Sequence, residues 1–264
     1  MNKCGEKHPV SGMVFDLDGT IYSGGEIIPG ACEFLSKLQE CGIPVMFYTN
    51  RAHRTPEQIA RKLQGMNLRV SEEQILTSAL VTAHSLQGKR VFCIGEDALV
   101  QALEQKNVTI TDDNPDYVAV GYVEDLKGTE LTKAVQCLTD GNAEFAATNL
   151  DPYIIVDGKR VPENGALTAA VQAASGMEPV VFGKPNPAGL HMVLQAMNLP
   201  PEEVVIVGDT PSTDILCGIN AGVRTALILT GVTSARQAAV SEAEWIVHDY
   251  DDLSSRVFNK GETI

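Results

Sequence analysis

A chain of 264 residues and 28.3 kDa, 44% hydrophobic and 20% charged, holds enough apolar material for a real core with or without a smaller companion, which excludes global disorder. Twenty Lys and Arg against 34 Asp and Glu leave a formal charge of −14, so polyphosphate backbones are repelled and no nucleic-acid partner is expected. The six scattered cysteines make no CxxC pair or zinc-type cluster, and no stretch approaches the roughly 18 apolar residues that cross a bilayer, so the expectation is a soluble, reduced, cytoplasmic protein with no membrane partner.

Short β-branched runs alternate with amphipathic stretches almost from end to end, the rhythm of βαβ units around a parallel sheet. The first predicted strand is Met13 to Phe15. A helix follows with Pro29 at its first turn and stops near Gly42; a buried strand then runs from Ile43 to Tyr48. After a helix from Thr55 to Gly65, a second series starts near Thr77. It contains a strand at Arg90 to Ile94, a helix at Asp97 to Glu104, a strand at Tyr117 to Val120, a helix at Thr129 to Leu138 and a strand at Glu144 to Thr148. Then come a helix at Gly165 to Ala174, the strand Pro179 to Phe182, a helix from Pro187 to Met197, the strand Val204 to Val207, a helix from Thr213 to Ala221 and the strand Arg224 to Leu229. No repeat and no Ser- or Pro-rich linker marks a boundary, so a second domain must be an insertion joined by short crossings.

Open parallel sheets place ligand chemistry at the carboxyl ends of their strands. Four predicted strands end in polar residues: Asp16-Leu17-Asp18-Gly19-Thr20, Thr49-Asn50, Gly183-Lys184 and Gly208-Asp209-Thr210. On an extended chain Asp16 and Asp18 point the same way, and two close carboxylates repel unless a shared proton or a hard cation such as Mg²⁺ intervenes. The same residues also fit a polar turn or the opening of a calcium loop. Asp209 follows four apolar strand residues and a glycine, where burial without a partner is costly. Asp214 either adds to that charge or decorates a helix N-terminus. Lys184, ahead of Pro185-Asn186-Pro187, either clamps a phosphoryl oxygen or lies on the surface.

Taken together and in this order, DxDGT at Asp16, TN at Thr49, Lys184 and GDxxxTD at Gly208 resemble the haloacid dehalogenase superfamily of phosphatases, from Val14 to about Gly231. Residues 21–48 leave no room for a cap domain after the first motif, whereas Lys184 lies 134 positions beyond Asn50. The segments Ile94-Gly95-Glu96, Asp116 to Gly121 and Ala147 to Asp151 are similar to the NagD-like, or p-nitrophenylphosphatase-like, branch. That resemblance implies an α/β fold: a Rossmann-like parallel-sheet core at residues 1–77 and 180–264, with an inserted α/β cap of the C2 type at 78–179.

The resemblance also implies roles. Asp16 would be the nucleophile that forms an aspartyl phosphate, and Asp18 the general acid and base. Mg²⁺ would be held by Asp16, the Asp18 backbone carbonyl and Asp209, supported by Asp214 through water. Thr49, the Asn50 backbone amide and Lys184 would hold phosphoryl oxygens, and Asn149, Leu150 and Asp151 would read the leaving group. The activity implied is Mg²⁺-dependent hydrolysis of small phosphorylated metabolites, sugar phosphates or nucleoside monophosphates, with p-nitrophenyl phosphate as an in vitro substrate and a homodimer as the assembly. Arg51 departs from the small polar residue of many relatives and is expected to point into solvent; His53 receives no role. The alternatives are a phosphotransferase on the same fold and a receiver-like phosphate-binding module, which needs no cap.

Overall fold

The computed structural model describes residues 10–156 and 159–258. These divide into two compact units: one drawn from residues 10–48, 60–75 and 190–258, the other from residues 49–59, 76–156 and 159–189.

The first unit is built on a six-stranded sheet in the order Trp245–Val247, Arg224–Ile228, Val204–Gly208, Gly12–Phe15, Val45–Thr49, Ile75–Thr77. Gly12–Phe15 runs parallel to both neighbours, with Phe15 opposite Val207 on one side and Phe47 on the other. Strands buried on both faces read as unbroken apolar runs, and Met13, Val14, Phe15 and Val204 to Val207 are all fully buried. The Asp16 amide still donates to the Val207 carbonyl at 2.9 Å, so the ladder carries this residue to the very rim. On one face, Phe34 of the helix Ala31–Glu40 meets the rings of Phe15, Tyr250 and Phe258 at centroid distances of 6.2, 5.5 and 5.8 Å.

The second unit carries a five-stranded parallel sheet in the order Val180–Val181, Glu144–Ala147, Tyr117–Val120, Arg90–Ile94, Thr109–Ile110. Helices Ser78–Ser85 and Asp97–Gln105 bury Ala79, Ala83, Leu99 and Leu103 with Val91, Ala119 and Ala146 of the sheet. Helices Gly128–Thr139 and Asn164–Ser175 bury Ala134, Leu138 and Val171 with Val118, Val120 and Phe145. Alternate strand residues thus feed opposite layers, as a two-residue period demands. An antiparallel hairpin pairs Tyr153–Val156 with Lys159–Pro162.

The α/β class and the parallel sheets agree with the sequence pattern, and the differences are local. Pro29 does not open the first helix. Gly30 caps it with φ 84°, and Ala31 is its first residue; a Cβ at Gly30 would come within 2.9 Å of Tyr250 Cβ. The strand expected from Ile43 starts at Val45, and Pro179 to Phe182 shortens to the edge pair Val180–Val181. The hairpin Tyr22–Ser23 with Glu26–Ile27 and the helices Ser78–Ser85 and Tyr250–Phe258 were not anticipated. Among the described residues no helix is long and apolar enough to cross a membrane.

Because Phe34 is 3% exposed and fills the space among three other rings, Phe34→Ala leaves a cavity that should cost roughly 3–5 kcal/mol. Urea unfolding followed by the fluorescence of Trp245, in the same unit, should show a clearly lowered midpoint; an unchanged midpoint would mean the ring cluster is not what holds this helix down.

Candidate active site

Asp16, Asp209 and Asp214 converge at the carboxyl ends of two neighbouring strands of the first unit. One carboxylate oxygen from each lies within 4.8 Å of the others, and the residues are 8%, 3% and 1% exposed. Asp16 follows Phe15 directly, and Asp209 follows Gly208 on the adjacent strand. Asp214 arrives by a different route. The helix expected from Thr213 opens instead as a wide π-type turn, Pro211–Ile215, in which the Thr210 carbonyl accepts from Thr213, Asp214 and Ile215 at 3.4, 2.9 and 3.5 Å. That turn brings the Asp214 carboxylate back to accept from the Thr210 amide at 3.1 Å, so Asp214 belongs to the cluster and is more than a helix-end charge.

Asp18 does not lie on an extended chain beside Asp16. The amides of Thr20, Ile21 and Tyr22 all donate to the Leu17 carbonyl, and Gly19 takes φ 79°, so the motif is a tight turn. The half-buried Asp18 carboxylate accepts from the Tyr22 hydroxyl at 3.2 Å and stands outside the trio.

A segment that sequence reasoning passed over completes this rim. Asp209 Oδ2 accepts from the Val232 amide at 2.7 Å and Oδ1 from the Thr210 hydroxyl at 3.1 Å, while the Thr233 hydroxyl donates to the Asp209 carbonyl. Thr230 Oγ1 donates to the Gly19 carbonyl at 2.7 Å. Gly231 sits so close that a Cβ there would overlap Asp209 Oδ2. The available signal was Thr230-Gly231-Val232-Thr233 directly after an apolar strand, a pattern of hydroxyls around a glycine. Beneath the rim the buried Tyr250 hydroxyl donates to the Thr20 carbonyl at 2.8 Å; burial first, and then the charge of Asp16, hold that phenol well above its ordinary range.

The remaining candidates belong to the second unit. Thr49 is buried, and its hydroxyl accepts from the Arg51 amide at 3.2 Å. Asn50 Oδ1 accepts from the Lys184 amide at 2.9 Å, and Asn50 Nδ2 donates to the Lys184 carbonyl at 3.2 Å and to Asp151 Oδ2 at 2.8 Å. Asn149 Nδ2 donates to the same Asp151 oxygen at 2.8 Å, so Asn149 and Asp151 join Asn50, whereas Leu150 is exposed. Lys184 is 2% exposed, not a surface lysine. Arg51 is half-buried, and its charge partly offsets the acidic surroundings of Tyr122, whose phenol is raised by burial and by Glu163, Glu124 and Glu96. His53 lies 3.9 Å from the Glu163 carboxylate and packs on the Tyr122 ring at 4.9 Å.

Three buried carboxylates with no nitrogen or sulfur donor among them form a hard, all-oxygen set, the chemistry that suits Mg²⁺ or Ca²⁺ and not zinc. Their mutual repulsion in a poorly solvated rim supplies the driving force.

A parallel sheet bearing clustered carboxylates at the carboxyl ends of adjacent strands is a Rossmann-like core with a candidate site where open α/β sheets place their ligands. Residues 13–109 match the family model described as haloacid dehalogenase-like hydrolase, and residues 181–253 match a second model of the same group. The chain is 39% identical over 248 residues to the 5'-nucleotidase YutF of Bacillus subtilis, covering 92% of this chain and 96% of that protein. It is 38% identical over 228 residues to an acid sugar phosphatase of Staphylococcus haemolyticus, covering 84% and 86% of the two. The solved structure of NagD from E. coli K-12 superposes with a TM-score of 0.85 at 34% identity, over 91% of this chain and 97% of that one. The chain belongs to the haloacid dehalogenase superfamily, in its NagD-like branch.

If crowding of like charge governs this rim, Asp214→Asn should raise the melting temperature in EDTA by removing one of three mutually repelling groups. In millimolar Mg²⁺ the native protein should gain more than the variant. A native melting temperature indifferent to Mg²⁺ would contradict the fit.

Proposed function

We propose that this chain is a Mg²⁺-dependent phosphomonoester hydrolase acting on small phosphorylated metabolites through an aspartyl-phosphate intermediate. The buried trio Asp16, Asp209 and Asp214 is the observation that carries the reading. In this assignment Mg²⁺ is held by the Asp16 and Asp209 carboxylates and the Asp18 carbonyl, with Asp214 supporting the set. Once bound, the ion offsets the charge of a phosphate dianion that would otherwise repel a carboxylate.

Asp16 is the nucleophile. The ladder bond from its amide to Val207 fixes the backbone at the strand end, so the carboxylate is presented in one orientation. One of its oxygens forms a bond to phosphorus as the ester P–O bond breaks, and Asp18 delivers a proton to the departing alkoxide. The Tyr22 hydroxyl keeps Asp18 oriented for that transfer. Asp18 then removes a proton from the water that attacks the acyl phosphate, releasing inorganic phosphate and regenerating both carboxyl groups. Lys184, Thr49 and the Asn50 backbone amide bind phosphoryl oxygens, Lys184 as a fixed positive charge in a dry setting.

Residues 1–77 and 180–264 form the catalytic core in this reading and residues 78–179 the cap. Sugar phosphates and nucleoside monophosphates are the proposed substrates, in keeping with relatives named as a sugar phosphatase and a nucleotidase, and p-nitrophenyl phosphate is the convenient probe. Cytoplasmic residence fits Cys32, Cys41, Cys93, Cys137 and Cys217, which form no disulfide among the described residues, and burial pushes the Cys93 thiol up to about 12. A homodimer completes the proposal.

The test is phosphate release from p-nitrophenyl phosphate. Turnover should require Mg²⁺ and stop in EDTA, and Asp16→Asn should lower kcat by at least about 10³-fold, the scale of losing a covalent nucleophile. Release that persists in EDTA, or an Asn variant as fast as the native enzyme, would refute the mechanism.

A further inference from the structure

The side chain of Asp151 is committed to two amides. Its Oδ2 accepts from Asn149 Nδ2 and Asn50 Nδ2, both at 2.8 Å. A carboxylate only accepts, so the Asn50 amide must turn its nitrogen toward Asp151 and its oxygen the other way. That oxygen receives the Lys184 amide at 2.9 Å, while Nδ2 also reaches the Lys184 carbonyl at 3.2 Å. With the Asn50 amide reversed, its Nδ2 would face the Lys184 N–H and both bonds to that main chain would be lost.

The Asp151 backbone is itself anchored. The Gly165 amide donates to the Asp151 carbonyl at 2.9 Å, and the fully buried Asn164 donates through Nδ2 to the Asn149 carbonyl at 2.9 Å and to Val120 and Thr148. Ser78 Oγ fixes the Asn50 carbonyl at 2.7 Å. Gly183 lets the strands close, since a Cβ there would overlap the Thr148 carbonyl and come within 2.7 Å of Asn50 Oδ1.

We propose that Asp151 is a positioning residue: it sets the orientation of the Asn50 amide, which in turn fixes the main chain of Lys184 and so the place where its ammonium group meets phosphate. This rests on the assignment of Lys184 to the phosphoryl oxygens. It differs from a role in reading the leaving group, because Asp151 then acts on every phosphate ester alike.

Inorganic phosphate is the probe, since it has no leaving group. Its inhibition constant and the kcat and KM for p-nitrophenyl phosphate, glucose 6-phosphate and AMP are measured at fixed Mg²⁺ for the native enzyme, Asp151→Ala, Asp151→Asn and Lys184→Ala. Asp151→Ala should weaken phosphate inhibition about 10-fold, the scale of a charge-assisted hydrogen bond, and lower kcat/KM by the same factor for all three esters. Asp151→Asn, whose Oδ1 still accepts from both amides, should stay within about three-fold of native. If Asp151→Ala does not fold, the Asn variant decides, with unchanged ester ranking expected. A weakened Lys184→Ala beside an unaffected Asp151→Ala overturns the positioning role alone. Unchanged phosphate inhibition in Lys184→Ala overturns the phosphate assignment itself. A changed rank order among the esters in either Asp151 variant makes Asp151 a leaving-group reader and overturns the proposal.

Discussion

Three carboxylates buried within 4.8 Å of one another repel when ionised, and the strands, turn and loop that carry them hold them there against that repulsion. Two strands with fully buried side chains run parallel and in register, so Phe15 and Val207 stand opposite each other and the acidic residues beyond them emerge side by side. A widened helical turn returns Asp214, and the Thr230–Thr233 segment bonds both Asp209 and the Gly19 turn. The apolar core beneath includes the rings of Phe15, Phe34 and Tyr250, and such close-packed interiors deform little.

The second unit solves a different problem. It holds a lysine that is itself almost wholly buried, so the place of that side chain depends on how its main chain is held. The chain around Lys184 is accordingly tied at both main-chain atoms by one asparagine side chain, and that asparagine is tied in turn by Asp151 and Ser78. Residues remote in sequence are joined by hydrogen bonds in which each group has one sensible donor or acceptor role. Such a network specifies orientation more sharply than packing alone.

Much of this was legible in the sequence because the signals were of the strong kind. Unbroken apolar runs such as Val204 to Val207 announce strands buried on both faces, and an acidic residue directly after such a run has few bland explanations. What escaped detection depends on geometry that spacing does not encode. Asp18 sits in a turn that closes on the Leu17 carbonyl, and Asp214 joins the trio because the turn after Thr210 is π-type instead of α-helical. The part played by Thr230 to Thr233 rests on one backbone amide and two threonine hydroxyls, and a hydroxyl in a loop does not announce which carbonyl it will meet. Asp151 accepts from Asn50 across 101 positions and from Asn149 across two, and nothing local distinguishes a substrate-facing amide from an internal strut.

A claim about charge compensation is best tested where charge is compensated. Calorimetric titration of the native protein with Mg²⁺, with no substrate present, should give one binding event per chain that vanishes in Asp209→Asn. Absence of any saturable Mg²⁺ binding, or equal binding by the Asp209→Asn variant, would contradict the account at its foundation.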